Sequence, residues 1–267
     1  MSKKRQTDDV RAPENVETFP VRTFAVRYPS GYFLPWHAHD WHQLIYGSQG
    51  VMTVSTQQGT WVVPPNRAVW VPAGVEHSIE LSGAVLMQSL YLASNVAAEL
   101  PESCCAVNVS PLLRELILHI AAPESAQRSA GVRIRLLAVL LDQLEALPTI
   151  PLQLPLPQDR RAVRVAEWLR ANPNAPSVLK QLARRAGASV RTLERLFQAE
   201  TGMTFGKWRQ QLRLLHALRQ LAMDRPVTEV ALEVGYDSPS AFIAMFRGAL
   251  GTTPTRYFSD SRKLQRV

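Results

Sequence analysis

Short apolar or alternating runs dominate residues 19–100: "TFAVRYP", "QLIYG", "GVMTVST", "TWVVPP" and "RAVWVPAG". Gly and Pro punctuate them at short intervals, the pattern of a small antiparallel barrel or sandwich. From residue 110 the period lengthens. Leu112, Leu113, Leu116, Ile117 and Ile120 form one helical stripe, and Leu136, Leu137, Leu140, Leu141 and Leu144 a second. Two such amphipathic helices can cover the β-domain or pair with a second subunit. "LPTIPLQLPLPQD" then places Pro148, Pro151, Pro155 and Pro157 in one stretch. That density excludes helix interior and central strand and reads as a stiff linker. Beyond it the pattern is helical with short turns. The expected organisation is a disordered polar tail (1–18), a β-domain (19–100), a helical segment (101–147), a linker (148–159) and an all-helical domain (160–267).

The helical domain contains an internal repeat. "LARRAGASVRTLERLFQAETGMTFGKW" overlays "VALEVGYDSPSAFIAMFRGALGTTPTRY". Ala183 stands four before Gly187 as Ala231 does before Gly235, and Phe197 five before Gly202 as Phe246 does before Gly251. In each copy a glycine suited to a left-handed C′ turn ends one helix, and Ser189 or Ser238 caps the next. Pro239 follows at N1, where its missing N–H costs nothing. Leu193, Leu196 and Phe197 bury one face of the second helix, which leaves Arg191, Glu194 and Arg195 wet. Phe242, Met245 and Phe246 play the same burying role in the second copy. This is the helix-turn-helix plan, whose second helix can enter a major groove. "FGKWRQQLRLLHALRQLAM" is a connecting helix that would hold two such heads for successive grooves, roughly 34 Å apart.

Charge supports that assignment. Residues 160–267 carry 19 Lys/Arg against 8 Asp/Glu, a balance of +11, while residues 1–159 carry 11 against 14, or −3. A polyanion partner is expected for the C-terminal half only. No apolar run is long enough for a membrane span, and the basic N-terminus lacks the apolar core of a secretory signal. Cys104 and Cys105 are adjacent, so they read as small semi-buried thiols in a reducing cytoplasm.

Residues 178–258 resemble the DNA-binding domain of the AraC/XylS family of bacterial transcription regulators, most specifically in "VALEVGYDSPSAFIAMFRGALGTTPTRYF". The resemblance implies base-facing positions at Arg191, Glu194 and Arg195 in the first copy and at Pro239, Ser240, Ala241 and Ala244 in the second. Ser189, Thr192, Ser238 and Arg247 complete the expected DNA-contacting set. Ala244 replaces a common arginine and Phe205 a common proline. The first reading helix is therefore expected to carry most direct readout, and the second backbone contacts or shape recognition.

"GYFLPWHAHDWHQ" holds three of the six histidines. Its spacing, with "PAGVEH" further on, is similar to the two motifs of the cupin superfamily. Set on one strand, His37, His39 and Gln43 are in phase and His42 is not. His77 comes from a later strand. Gln43 stands where the pattern has glutamate, Asn66 where it has glycine, and Leu81 where it has asparagine. A neutral amide is a poorer ligand for a hard dication and no general base. Three imidazoles still suffice for zinc or another first-row ion. His37, His39, Gln43 and His77 are thus read as a divalent metal site, as groups that hydrogen-bond a small-molecule effector or one another, or as ordinary structural residues. Trp36, Trp41, Trp61 and Trp70 read more readily as core than as pocket.

The whole pattern resembles AraC-type regulators with an N-terminal cupin. The expected fold is α+β multidomain: a cupin-like β-barrel, a helical dimerisation segment, and an all-α domain with two helix-turn-helix motifs. The resemblance implies a cytoplasmic, nucleoid-associated homodimer acting on double-stranded promoter DNA and RNA polymerase, without catalysis. A metal-dependent cupin enzyme with a DNA-binding appendage and an effector-independent regulator are the alternatives.

Overall fold

The computed structural model describes residues 19–65, 67–97, 99–122, 127–145, 152–175 and 179–263. The expected tail (1–18), Asn66, Pro148 and Pro151 lie outside them. The described chain falls into two compact units. One holds the residues up to Gln57 and Trp61–Gln153; the other holds Gln58–Thr60 and the residues from Leu154 onward.

The first unit is sheet-rich: β1 (Val21–Tyr28), β2 (Phe33–His37), β3 (His42–Thr56), most of β4 (Gly59–Val63), β5 (Arg67–Val71), β6 (His77–Leu92) and β7 (Cys105–Asn108). Two long strands organise it. β3 and β6 pair antiparallel from His42↔Leu92 to Thr56↔His77, with irregularities between Gly47 and Val51. β1 lies on the second half of β6 and β2 on its first, while β5 extends β3 and β7 extends β5. Gly50 lies within that irregularity and has φ +70°. A Cβ added there would lie 2.6 Å from the Ala84 carbonyl oxygen. Left-handed backbone and a clash with main chain both oppose any side chain. Gly50→Ala is therefore expected to destabilise this unit by at least about 1 kcal/mol. Calorimetric melting checks it; an unchanged Tm would refute it.

Helices α1 (Pro111–Ala121) and α2 (Ala130–Glu145) follow. Ser110 caps α1, its hydroxyl accepting from Leu113 N at 3.1 Å. The two apolar stripes bury Leu113, Leu116 and Ile117 of α1 and Leu137, Leu140 and Leu144 of α2 in one core with Leu44, Tyr46, Leu90 and Leu92 of the sheet. The helices thus cover the sheet. Leu112, Ile134 and Val139 stay exposed. The expected boundary at residue 100 shifts, because β7 adds a strand within the segment read as helical. Cys104 is buried, with its thiol pushed up to about 11 by that burial, and Cys105 is half-buried; both are free. Trp61 and Trp70 are core; Trp36 is half exposed, and Trp41 lies under the Arg22 guanidinium at 4.3 Å.

A short strand β8 (Gln153–Pro155) leads into the second unit: α3 (Arg160–Ala171), α4 (Leu179–Ala186), α5 (Val190–Thr201), α6 (Phe205–Ala222), α7 (Val227–Glu233), α8 (Pro239–Leu250) and α9 (Pro254–Lys263). The end of the Pro-rich stretch belongs to this unit and is not a free linker. Pro155 O accepts from Trp208 Nε1 at 2.7 Å, and the amides of Gln158 and Asp159 donate to the Glu200 carboxylate. Asp159 then caps α3.

Candidate nucleic-acid interface and sensor site

Both repeat copies build the same turn. Gly187 has φ +70° and Gly235 +83°. Ala188 N donates to Ala183 O, and Tyr236 N to Ala231 O, each at 2.9 Å. This is the Schellman closure, six residues back to one, with the carbonyls of Ala183 and Ala231 as the acceptors. The second helices start alike. Ser189 Oγ accepts from Thr192 N at 3.1 Å, and Ser238 Oγ from Ala241 N at 3.3 Å. Thr192 Oγ1 also lies 2.8 Å from Ser189 Oγ, so part of its polarity is spent on the cap.

The buried faces match as well. Phe197 packs edge-on against Phe205 and Trp208 at 5.2 and 5.1 Å. Phe246 does so against Phe242 and Tyr257, both at 5.8 Å. Trp208 and Tyr257 each stand six residues after a left-handed glycine, Gly202 and Gly251. Helix α6, about 27 Å long at 1.5 Å per residue, connects the two motifs. Arg225, in the turn between α6 and α7, is bonded to Glu233 of α7 at 2.6 Å.

The outer faces differ. On α5, Arg191, Glu194 and Arg195 are exposed; on α8, Ser240, Ala241, Ala244 and Arg247 are exposed and Pro239 is half-buried. One head offers two guanidinium groups and a carboxylate. The other offers one hydroxyl, two methyls and a single arginine a turn further along. Lys180, Arg184, Arg185 and Lys207 add exposed positive charge around the first motif.

In the sheet-rich unit, His37, His39 and His77 come together, one ring nitrogen of each lying within 4.8 Å of the others. The route differs from the single strand expected. His37 ends β2, His39 lies in the loop that follows, and Gln43 is the second residue of β3. His37 is the cross-strand partner of His77, their ring centroids 4.3 Å apart. The loop is fastened from the other motif, since Gly74 N donates to His39 O at 2.9 Å. His42 is turned away: it stacks on Trp70 at 5.2 Å, and its Nδ1 accepts from Ala73 N.

All three imidazoles are anchored alike. Their Nδ1 atoms face the carbonyl oxygens of Pro35 at 2.7 Å, Trp41 at 2.7 Å and Val75 at 2.9 Å. A carbonyl only accepts, so each Nδ1 carries the hydrogen and each Nε2 keeps its lone pair. Anchoring of this kind orients metal-ligating histidines. His77 is fully buried, and its Nε2 has no hydrogen-bond partner among the described residues. Burial pulls its pKa down to about 4 and lowers that of His37, so both rings stay neutral and available as ligands.

Gln43 is 2 % exposed. Its amide lies 2.9 Å from His39 Nε2, 3.1 Å from Ser89 Oγ and 3.0 Å from Tyr91 OH. It therefore borders the imidazoles but is already occupied. Ser89 and Tyr91 were not singled out from the sequence. Their signal is two polar groups two residues apart in the "SLYL" end of β6.

Residues 19–146 match the model of the AraC-like ligand binding domain, and residues 182–260 match that of a helix-turn-helix domain. The HTH-type transcriptional regulator NimR of Escherichia coli strain K12 is 39% identical over 225 residues, which cover 84% of this chain and 82% of NimR. The chain belongs to the AraC family of transcriptional regulators. This AraC-family protein is a DNA-binding transcription regulator with a ligand-binding type of N-terminal domain. The regulator RipA of Corynebacterium glutamicum is 38% identical over 103 residues, 39% of this chain and 31% of RipA. A crystal structure of the AdpA DNA-binding domain in complex with a target DNA is 34% identical, covering 41% of this chain and 98% of that one, with a TM-score of 0.38. Among the described residues no helix is long and apolar enough to cross a membrane.

Proposed function

We propose that this regulator senses through a first-row divalent metal held by His37, His39 and His77, and that occupancy of that site, or of an effector seated on it, sets its affinity for promoter DNA. The observation that carries the reading is the common anchoring of three Nδ1 atoms to backbone carbonyls, with a buried Nε2 on His77 that has no partner among the described residues. Leaving a buried acceptor unpaired costs about 1–3 kcal/mol, and a metal removes that cost. Three neutral nitrogens suit zinc or its first-row neighbours and disfavour calcium and magnesium. One ring nitrogen of each histidine lies within 4.8 Å of the others, so His37, His39 and His77 are the residues that would hold such an ion. A bound metal would supply an open coordination position for an anionic or polar effector.

On the DNA side, Arg191 and Arg195 are assigned to base edges, with Glu194 accepting from cytosine or orienting an arginine. Ser189, Thr192, Ser238 and Arg247 are assigned to backbone contacts, and Pro239, Ser240, Ala241 and Ala244 to the groove surface of α8. The exposed apolar residues Leu112, Ile134 and Val139 suit a homodimer contact through α1 and α2. RNA polymerase is the expected downstream partner. The protein works without turnover: Gln43, in the position of a carboxylate, takes up no proton.

Elemental analysis of the purified full-length protein tests the sensor. About one zinc or related ion per chain is expected, lost in the His37→Ala/His39→Ala variant, with operator affinity differing between metal-loaded and chelator-treated protein. Metal-free protein after aerobic purification in zinc-supplemented buffer, unchanged by added zinc, would sink the reading.

A further inference from the structure

Gln43 stands where a fourth ligand would stand, yet its surroundings give it another task. Because Trp41 O takes the Nδ1 hydrogen of His39, the neutral ring has a bare lone pair on Nε2. As placed, the amide oxygen Oε1 is the atom 2.9 Å from that lone pair, and the amide nitrogen faces two hydroxyls. Amide oxygen and nitrogen exchange by half a turn, and hydrogen counting decides between them. With the nitrogen toward His39, the amide donates to Nε2 and its oxygen accepts from Ser89 Oγ and Tyr91 OH. All three contacts then pair a donor with an acceptor. In the opposite orientation two acceptors, the amide oxygen and the Nε2 lone pair, face each other at 2.9 Å.

We propose that Gln43 is a latch on His39 rather than a metal ligand: its amide holds the lone pair that a metal has to take, so metal binding and the Gln43–His39 hydrogen bond exclude each other. This inference rests on the metal reading above and concerns how that site is regulated. The latch bridges the two organising strands, since Gln43 of β3 pairs with Tyr91 of β6. Their sequence neighbours Leu44, Leu90 and Leu92 point the other way, into the core shared with α1 and α2. Metal entry thus breaks a hydrogen bond in the sheet whose opposite face carries the helices.

The test uses the full-length protein, Co2+ as an absorbing probe, and competition against a chromophoric chelator. Gln43→Leu removes the latch at similar volume. Co2+ affinity is expected to rise roughly 2- to 12-fold, the range of one net hydrogen bond, with the Co2+ absorption spectrum unchanged. Weaker binding with an altered spectrum identifies Gln43 as a ligand and overturns the latch; unchanged affinity overturns it as well. Tyr91→Phe, which loosens the amide while keeping its packing, is expected to move affinity in the same direction by less, and decides the matter if Gln43→Leu does not fold. If neither wild type nor variants bind Co2+, the metal reading falls and takes the latch with it. If only the variants bind, the latch stands.

Discussion

Replacing both Arg191 and Arg195 by alanine is expected to lower affinity for the cognate operator by about 2–6 kcal/mol, from two contacts worth about 1–3 kcal/mol each. The expectation comes from the fold of α5. Ser189 caps the helix, Leu193, Leu196 and Phe197 bury one side, and the two arginines emerge one turn apart on the other. That spacing suits two guanidinium groups reading neighbouring guanines through O6 and N7. Non-specific affinity should change far less, because the C-terminal half keeps most of its excess positive charge. Fluorescence anisotropy on operator and scrambled duplexes, at one fixed salt concentration, separates the two effects. Equal losses on both duplexes would make these arginines phosphate contacts. The single Arg195→Ala variant, measured over all single-base operator changes, should relax preference at one base pair.

Phe197→Ala should destabilise the C-terminal domain by about 3–5 kcal/mol, the range for emptying a buried aromatic site. Phe197 is fully buried between Phe205 and Trp208. Trp208 in turn donates to Pro155 O, so the same cluster anchors the entering chain. Domains of this size are stable by only about 5–15 kcal/mol, and α5 would lose its fixed angle to α6. Denaturant unfolding followed by tryptophan fluorescence gives the number. A loss below about 1 kcal/mol would mean that α5 is held by other contacts. Phe246, packed against Phe242 and Tyr257, predicts a comparable loss in the second motif.

The helix-turn-helix repeat was legible residue by residue. Helix faces, caps and left-handed glycines depend on neighbours within five positions, and Ser189, Gly187, Ser238, Pro239 and Gly235 each took the place their chemistry favours. His42 stacks on Trp70 outside the cluster, as its phase implies, although β2 ends at His37 and no single strand carries His37, His39 and Gln43. The packing of β7 against β5 was not legible, because four residues give too short an alternation to separate from a loop. Nor was the attachment of Pro155–Asp159 to α5 and α6, since a proline-rich composition says nothing about what its carbonyls accept.

The sequence by itself determined two domains of opposite charge, a doubled helix-turn-helix motif, and three histidines that the fold clusters, because each of these is written in local spacing or in composition. Only the tertiary structure decided what those histidines can do. His37 faces His77 across a strand pair, and Gln43 meets Ser89 and Tyr91 from positions 46 and 48 residues away. Contacts at that separation are set by strand register, and a one-residue slip would send every side chain to the other face. The difference between an amide that binds a metal and one that holds a histidine therefore lies in how β3 and β6 are aligned.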